Sequence, residues 1–228
     1  LDHFCSSCRT PFANEFALAP DGVCALCRLG VRGFDFAYCY GAYDGHFKDL
    51  IHLHKYGRVE GLAAEFTPLL SAALPLENTY DAVVPVPLHW RRYWQRGFNQ
   101  AAQLANGIAR RRGLRLARLL ARTRFTSTQT NLSHADRRKN ISGAFRVCGK
   151  VDGLRILLVD DVMTTGATAG ACANVLKTGG GKIGNAPDSC KGRSPAGSAF
   201  CQDIQIRSIV DGSNDEIAKA SSGAECQL

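Results

Sequence analysis

The chain lacks most of what a membrane or exported protein needs. No stretch approaches the ~18 uninterrupted apolar residues that cross a bilayer, which excludes a spanning helix. The first residues show no charged-then-apolar leader, so the expectation is a cytoplasmic protein. Acid is also in short supply: 28 Lys and Arg face 20 Asp and Glu, a net charge of +8. Residues 1–178 alone carry about +9 and the remainder about −1, and twelve arginines fall between positions 91 and 138. Such a field favours polyanions, either a phosphorylated sugar or a nucleic-acid backbone; a solvated basic face with no dedicated partner is the competing reading. A phosphate-binding loop of the ATPase kind is missing too. The nearest candidate, residues 178–183, places Ile183 where the metal-binding hydroxyl belongs, so the ATPase reading fails. No histidines sit at the spacing of a metal pair; His46, His52 and His54 are read as surface or packing residues. At 228 residues the chain can build one good core and a small accessory module.

Ten cysteines would suit an oxidised, secreted chain, but their placement argues otherwise. Cys5 and Cys8 form one Cys-x-x-Cys knuckle and Cys24 and Cys27 a second, fifteen residues further on. A two-residue gap lets both sulfurs of a knuckle face one ion, and two knuckles complete a closed tetrahedron of thiolates around Zn²⁺. With four protein ligands there is no place for an activated water, so the site is structural. A segment so short would hardly fold without its metal. Two disulfides or a redox pair are the competing readings. His3 is a bystander, and Cys39, in a strand-like run over 34–43, is read as packing.

The most informative stretch is residues 156–168. Four apolar residues, Ile156, Leu157, Leu158 and Val159, predict a strand buried on both faces, as in a parallel sheet. Asp160 and Asp161 then sit at its carboxyl end, where open α/β sheets hold their ligands. Thr164, Thr165, Gly166, Ala167 and Thr168 offer hydroxyls and backbone N–H groups at a helix N-terminus, which attracts phosphate. Carboxylates for ribose hydroxyls beside an anion cradle suit a sugar phosphate. The competing structural reading is an ordinary strand–turn–helix.

The middle of the chain supplies further pieces. Apolar spacing predicts helices over 47–56 and 61–74, with Lys55 near the end of the first in reach of a phosphate. Residues 80–88 predict a strand broken by Pro85 and Pro87, and the stiff loop around Pro85 and Val86 is a place to present backbone N–H groups to an anion such as pyrophosphate. Arg96-Gly97-Phe98-Asn99-Gln100 leads into a helix through Leu104 and Ile108. Residues 122–132 read as a mobile polar loop, and 143–145 turn into a strand. Trp90, Tyr93, Trp94 and Phe98 lie among arginines and would serve as stacking platforms for bases; packing in the core or at a subunit contact is the competing reading.

Residues 159–168 resemble the phosphoribosyl-pyrophosphate (PRPP) signature of type I phosphoribosyltransferases. Together with Cys5 to Cys27, Pro85-Val86-Pro87-Leu88, residues 96–100, Gln129, Arg137 with Asn140, and Gly143-Ala144-Phe145, the chain resembles the ComF/GntX family of competence proteins over about residues 3–178. The resemblance implies an α/β fold. A type I phosphoribosyltransferase-like parallel sheet with flanking helices would occupy 34–178, preceded by a zinc-ribbon-like module over 1–33. It implies Mg²⁺ with PRPP or a related phosphorylated ribose as ligand. Asp160 and Asp161 would be the catalytic acids and residues 164–168, Pro85, Val86 and Arg96 the PRPP-binding set, with structural Zn²⁺ on the four cysteines. It further implies a role in DNA uptake, with single-stranded DNA and a helicase-like protein as partners. Whether the chain turns over substrate, or keeps the fold only to bind single-stranded nucleic acid, stays open at this point.

After residue 178 the pattern breaks. Residues 179–228 are rich in Ser, Gly and Asp, with Phe200 as the lone aromatic, and read as an atypical, poorly ordered tail from a lost reading frame. On that reading the sheet lacks its last strand, leaving a marginal fold. The apolar piece over 204–210 is the exception, able to form a strand in a divergent ending.

Overall fold

The structure is a computed structural model that describes residues 3–12, 15–29, 33–41, 43, 45–57, 59–75, 80–125, 140–163, 166–179 and 203–210. Its centre is a four-stranded, wholly parallel sheet in the order β3-β8-β7-β4, formed by Phe36–Tyr38, Asp203–Val210, Arg155–Met163 and Ala82–Pro85. The α/β expectation with a parallel sheet is thus what the structure holds.

Alternation along the strands sorts the core into two layers, because successive side chains point to opposite faces. Ile156 and Leu158 of β7 join Ala82 and Val84 of β4 in one cluster, while Leu157, Val159 and Val83 join the other. All four β7 residues are fully buried, as strands covered on both sides must be. The first face packs against Ala169, Cys172, Ala173 and Leu176 of a helix over Ala167–Lys177. The second packs against helices over Gly45–Tyr56 (α2), Leu62–Ala72 (α3) and Gln100–Arg112 (α5). Helix α5 lies so close to α3 that a Cβ at Gly107 would strike Thr67, so only glycine fits there. It ends at Gly113, whose left-handed backbone (φ 64°) lets its N–H reach the carbonyl oxygens of Ala109 and Arg110.

Three features depart from the sequence reading. A helix over Trp90–Arg96 (α4) precedes the predicted one; the side chain of His89 caps its start and Gly97 at φ 85° ends it. Strand β7 does not stop at the acids but runs to Met163, with a register shift between Val159 and Val162. Finally, the sheet does not lack a strand: Asp203–Val210, here β8, pairs in parallel with β3 on one side and β7 on the other. The expectation of a missing strand is corrected because β-forming residues at 204–210 take a position flanked on both sides.

The N-terminal piece is a short antiparallel pair, β1 (His3–Phe4) with β2 (Pro11–Phe12), followed by helix α1 over Ala25–Arg28. It is docked rather than appended. Cys5, Cys8, Phe12 and Cys24 belong to the same buried cluster as Ile156 and Leu158, and Ala37 N–H donates to the Cys8 carbonyl at 2.9 Å. A second antiparallel pair, β5 (Leu120–Arg122) with β6 (Phe145–Val147), flanks the main sheet. The Ala167–Lys177 helix is called α6 below. The predicted polar loop lies largely outside the described residues, as do Gln129, Arg137, Thr164 and Thr165.

Candidate functional site

The register shift in β7 turns the chain at the acid pair. Asp161 N–H donates to Asp160 Oδ1 at 2.9 Å, and Val162 N–H to Asp161 Oδ1 at 2.8 Å. Each carboxylate is therefore clamped by the next peptide and held in one orientation. Burial raises the Asp160 carboxyl to about 7, helped by the charge of Asp161. Burial pushes Asp161 up as well, but Lys55 and Arg96 outweigh it and hold this carboxyl below its usual range. The ammonium of Lys55, at the end of α2, stands 3.2 Å from Asp161 Oδ2.

Three arginines also lie near enough to the acids to act on them. Arg92 is held below the usual guanidinium range by burial and by Arg96, against the pull of Tyr56 and Asp161. Arg122 is lowered by burial and by Arg92, against the pull of Cys172 and Asp160. Arg92 and Arg96 of α4 thus act electrostatically on Asp161, and Arg122 of β5 on Asp160. Arg96 is fixed by a hydrogen bond to Gln100 Oε1 at 3.1 Å and stacks over the Tyr56 ring, 5.2 Å from its centroid. Two acids beside fixed cations have the chemistry to accept a polyanion that brings hydroxyls or a divalent cation to the carboxylates.

Among the remaining predicted residues, Gly166 caps α6 in the left-handed conformation (φ 70°), which suits glycine, and its carbonyl accepts from Gly170 N–H at 2.7 Å. Ala167 and Thr168 open the helix behind it. The N–H of Val86 is not available to an anion, since it donates to the Val159 carbonyl at 2.9 Å, and Pro85 has none. Asn99 Nδ2 donates to the Val86 carbonyl at 3.0 Å, so this segment is pinned between strand and helix. Sequence reasoning gave Lys55 only a phosphate, and left Arg92 and Arg122 undistinguished within a run of arginines. The Lys-Tyr-Gly close of an amphipathic helix was the one available signal for Lys55. Trp90, Tyr93 and Trp94 do not pack in the core; they are 61, 50 and 80% exposed. Phe98 is buried.

The four knuckle cysteines come together as a second site. Their sulfurs all lie within 4.8 Å of one another. Sγ–Sγ distances of 3.7 Å for Cys5–Cys27, 3.8 Å for Cys8–Cys24 and 3.4 Å for Cys24–Cys27 rule out disulfides. They match the ~3.8 Å edges of a tetrahedron with ~2.3 Å metal–sulfur bonds. Backbone N–H groups of Cys8 and Cys24 approach the Cys5 sulfur at 3.5 and 3.3 Å, the support a thiolate needs. A hydrogen bond from Cys24, with Thr10 assisting against burial, draws the Cys8 thiol down to about 4, and the same contact drives Cys24 up. The donor set fits a thiophilic ion. His3 and Cys39 lie outside the group.

These features define an α/β protein with a parallel sheet, a clamped acid pair at one strand, and a group of four cysteines able to hold a metal ion. No protein-family model matches the chain. The DNA utilization protein YhgH of Salmonella typhimurium is 33% identical over 186 residues, 77% of this chain and 78% of that one. Its counterpart in Salmonella typhi is 38% identical over 141 residues, where the match spans 58% of this chain and about three-fifths (61%) of the relative. Competence protein F of Haemophilus influenzae is 38% identical over 101 residues, 42% of this chain and 44% of that one. The chain belongs to this family, the ComF family of YhgH and competence protein F. Among solved structures it is similar to an allosteric regulatory enzyme of purine biosynthesis (17% identity, TM-score 0.40, 66% of this chain and 26% of that one). It is also similar to the glutamine PRPP amidotransferase of B. subtilis (20% identity, TM-score 0.30, 45% and 20%).

Proposed function

We propose that the chain binds PRPP, or a closely related phosphorylated ribose, at the acid pair and serves DNA uptake or utilization in the cytoplasm. The observation that carries the reading is the clamped Asp160–Asp161 pair with its collar of nearby cations, Lys55, Arg92, Arg96 and Arg122. The carboxylates hold the two ribose hydroxyls. The first turn of α6, at Gly166, Ala167 and Thr168, receives the 5-phosphate, with Thr164 and Thr165 of the same sequence run as further ligands. Arg96 and its neighbours take the pyrophosphate, where fixed cations also stabilise charge on a departing group. The segment of Pro85 and Val86 positions this wall rather than binding through its N–H. Hard carboxylate oxygens fit Mg²⁺, which when bound would neutralise pyrophosphate charge. The cysteines would hold Zn²⁺ as a purely structural ion.

As an enzyme the chain would transfer the phosphoribosyl group. Pyrophosphate release from PRPP, measured across a panel of nucleobases and other nitrogen acceptors, tests this step; release that depends on acceptor and disappears in Asp161→Asn supports it. Release from no acceptor, with PRPP still bound, reduces the site to recognition.

One observation favours a second reading. Trp90, Tyr93 and Trp94 stand exposed on α4, and the Arg91 guanidinium lies 5.2 Å from the Trp90 ring centre. Aromatics among arginines suit single-stranded DNA, with bases stacked and phosphates paired. DNA affinity that falls steeply with salt and survives Asp160→Ala would support a binding module, acting alone or beside a helicase-like partner.

A further inference from the structure

Three ion pairs join separate elements among the described residues: Lys55–Asp161, Arg155–Asp81 and Lys177–Asp35. Only the first reaches the acid pair. It is also well shielded, with 14% of the Lys55 side chain and 17% of the Asp161 side chain exposed. Asp161 Oδ1 already accepts from the Val162 N–H, so Oδ2 is the oxygen more open to a ligand, and Lys55 stands on it. Asp160 Oδ1 likewise accepts from the Asp161 N–H. With no ligand bound, the ammonium thus stands where a divalent cation or a ribose hydroxyl would have to approach Asp161.

Lysine is suited to leaving such a position. Its charge is a compact point on a flexible four-carbon stem with three rotatable donors, unlike the planar fork of arginine. Two other cations of the collar are better fixed: Arg96 by Gln100 and the Tyr56 ring, and Arg122 over the Phe145 ring, 5.3 Å from its centroid. Lys55 sits in the last turn of α2, where the helix end favours a cation but fixes no single partner.

We propose that Lys55 is an exchangeable counter-ion. It neutralises Asp161 in the empty protein and transfers to the pyrophosphate oxygens when the donor arrives, freeing Oδ2 for the metal or the ribose. The inference rests on the PRPP reading above and adds a positioning residue to it. Its consequence is linkage: Mg²⁺ alone meets an occupied carboxylate and binds weakly, while PRPP draws Lys55 away and improves the metal site. Each ligand then raises the affinity for the other by the same factor.

Calorimetric titration of the zinc-loaded protein with Mg²⁺ alone, with PRPP alone and with both together tests this in wild type, Lys55→Met and Lys55→Arg. The expected result for Lys55→Met is opposite movement: Mg²⁺ alone binds about tenfold tighter, PRPP binds about tenfold weaker, and the coupling between them shrinks toward one. Lys55→Arg, which keeps the charge, still disfavours Mg²⁺ alone. A residue with only a structural role would weaken both ligands together, and melting curves identify any variant that fails to fold; Lys55→Arg then carries the comparison. Unchanged Mg²⁺ affinity in a folded Lys55→Met protein overturns the exchange and leaves the PRPP site standing. Absence of PRPP binding by wild type overturns both.

Discussion

Asp160 and Asp161 are joined by a 2.9 Å hydrogen bond from the backbone of the second to the carboxylate of the first, yet their carboxyls are driven in opposite directions. Burial, then the neighbouring charge, lifts Asp160 to about 7, while Lys55 and Arg96 overcome burial to hold Asp161 low. Below about pH 7 Asp160 tends to retain its proton while Asp161 is ionised, and the two titrate as a coupled unit. A group whose folded pKa lies above its unfolded value gives stability that is complete below the unfolded pKa and is lost as pH rises through the folded one. Asp160 therefore favours the fold at low pH and weakens it as pH climbs from about 4 through about 7. Asp160→Asn should remove this slope. Melting curves of wild type and variant between pH 5 and 8 should diverge, with the variant gaining on the order of 1 kcal/mol per pH unit across the titration. Parallel curves would show that the carboxyl is not perturbed.

Removing the metal should unfold more than the N-terminal piece. Cys5, Cys8 and Cys24 share a buried cluster with Ile156 and Leu158 of the central strand, and Cys27 packs against it, so loss of an ion held by the four would expose the core of the sheet. Metal analysis should find about one zinc per chain, and a strong chelator or Cys24→Ser should lower the melting temperature of the whole protein. Cobalt substitution should give the intense thiolate charge-transfer bands of a tetrahedral four-sulfur site. A chelated protein that melts at the original temperature would deny the cysteines a structural ion.

Gly166 enters α6 at φ 70°, a backbone conformation that costs a residue with a Cβ about 1–2 kcal/mol. Gly166→Ala should lower stability by about that amount and weaken PRPP binding by a larger factor than the fold alone explains. Equal affinity for PRPP in the variant would remove the α6 entrance from the phosphate site.

Much of this arrangement was legible in the sequence, for identifiable reasons. The buried strand at 156–159 was readable because four consecutive apolar residues have few other homes, and the cysteine group because knuckle spacing fixes geometry locally. Lys55 could not be assigned to Asp161, because the contact joins residues far apart in the chain and depends on how α2 packs against the sheet. The exposure of Trp90, Tyr93 and Trp94 was hidden for a similar reason: their spacing on α4 fits a packed face as well as a solvent-facing one. The place of residues 203–210 was also out of reach. Local propensity can propose a strand, but only pairing with β3 and β7 shows that the sheet needs it.

Mutations should separate the two faces of the molecule. Leu158 is fully buried beneath α6, and Leu158→Ala should cost about 2–5 kcal/mol in chemical denaturation. Trp94, 80% exposed, should tolerate Trp94→Ala within about 0.5 kcal/mol. A large loss at Trp94 would mean that this aromatic face is covered in the folded protein.

The central claim is that the two aspartates and their arginine collar hold an activated ribose phosphate. Calorimetry of the zinc-loaded protein with PRPP in Mg²⁺ tests it most directly. One site per chain, abolished in Asp161→Asn while the melting temperature is maintained, is the predicted result. Binding that is absent from wild type, or that persists undiminished in the variant, would contradict it.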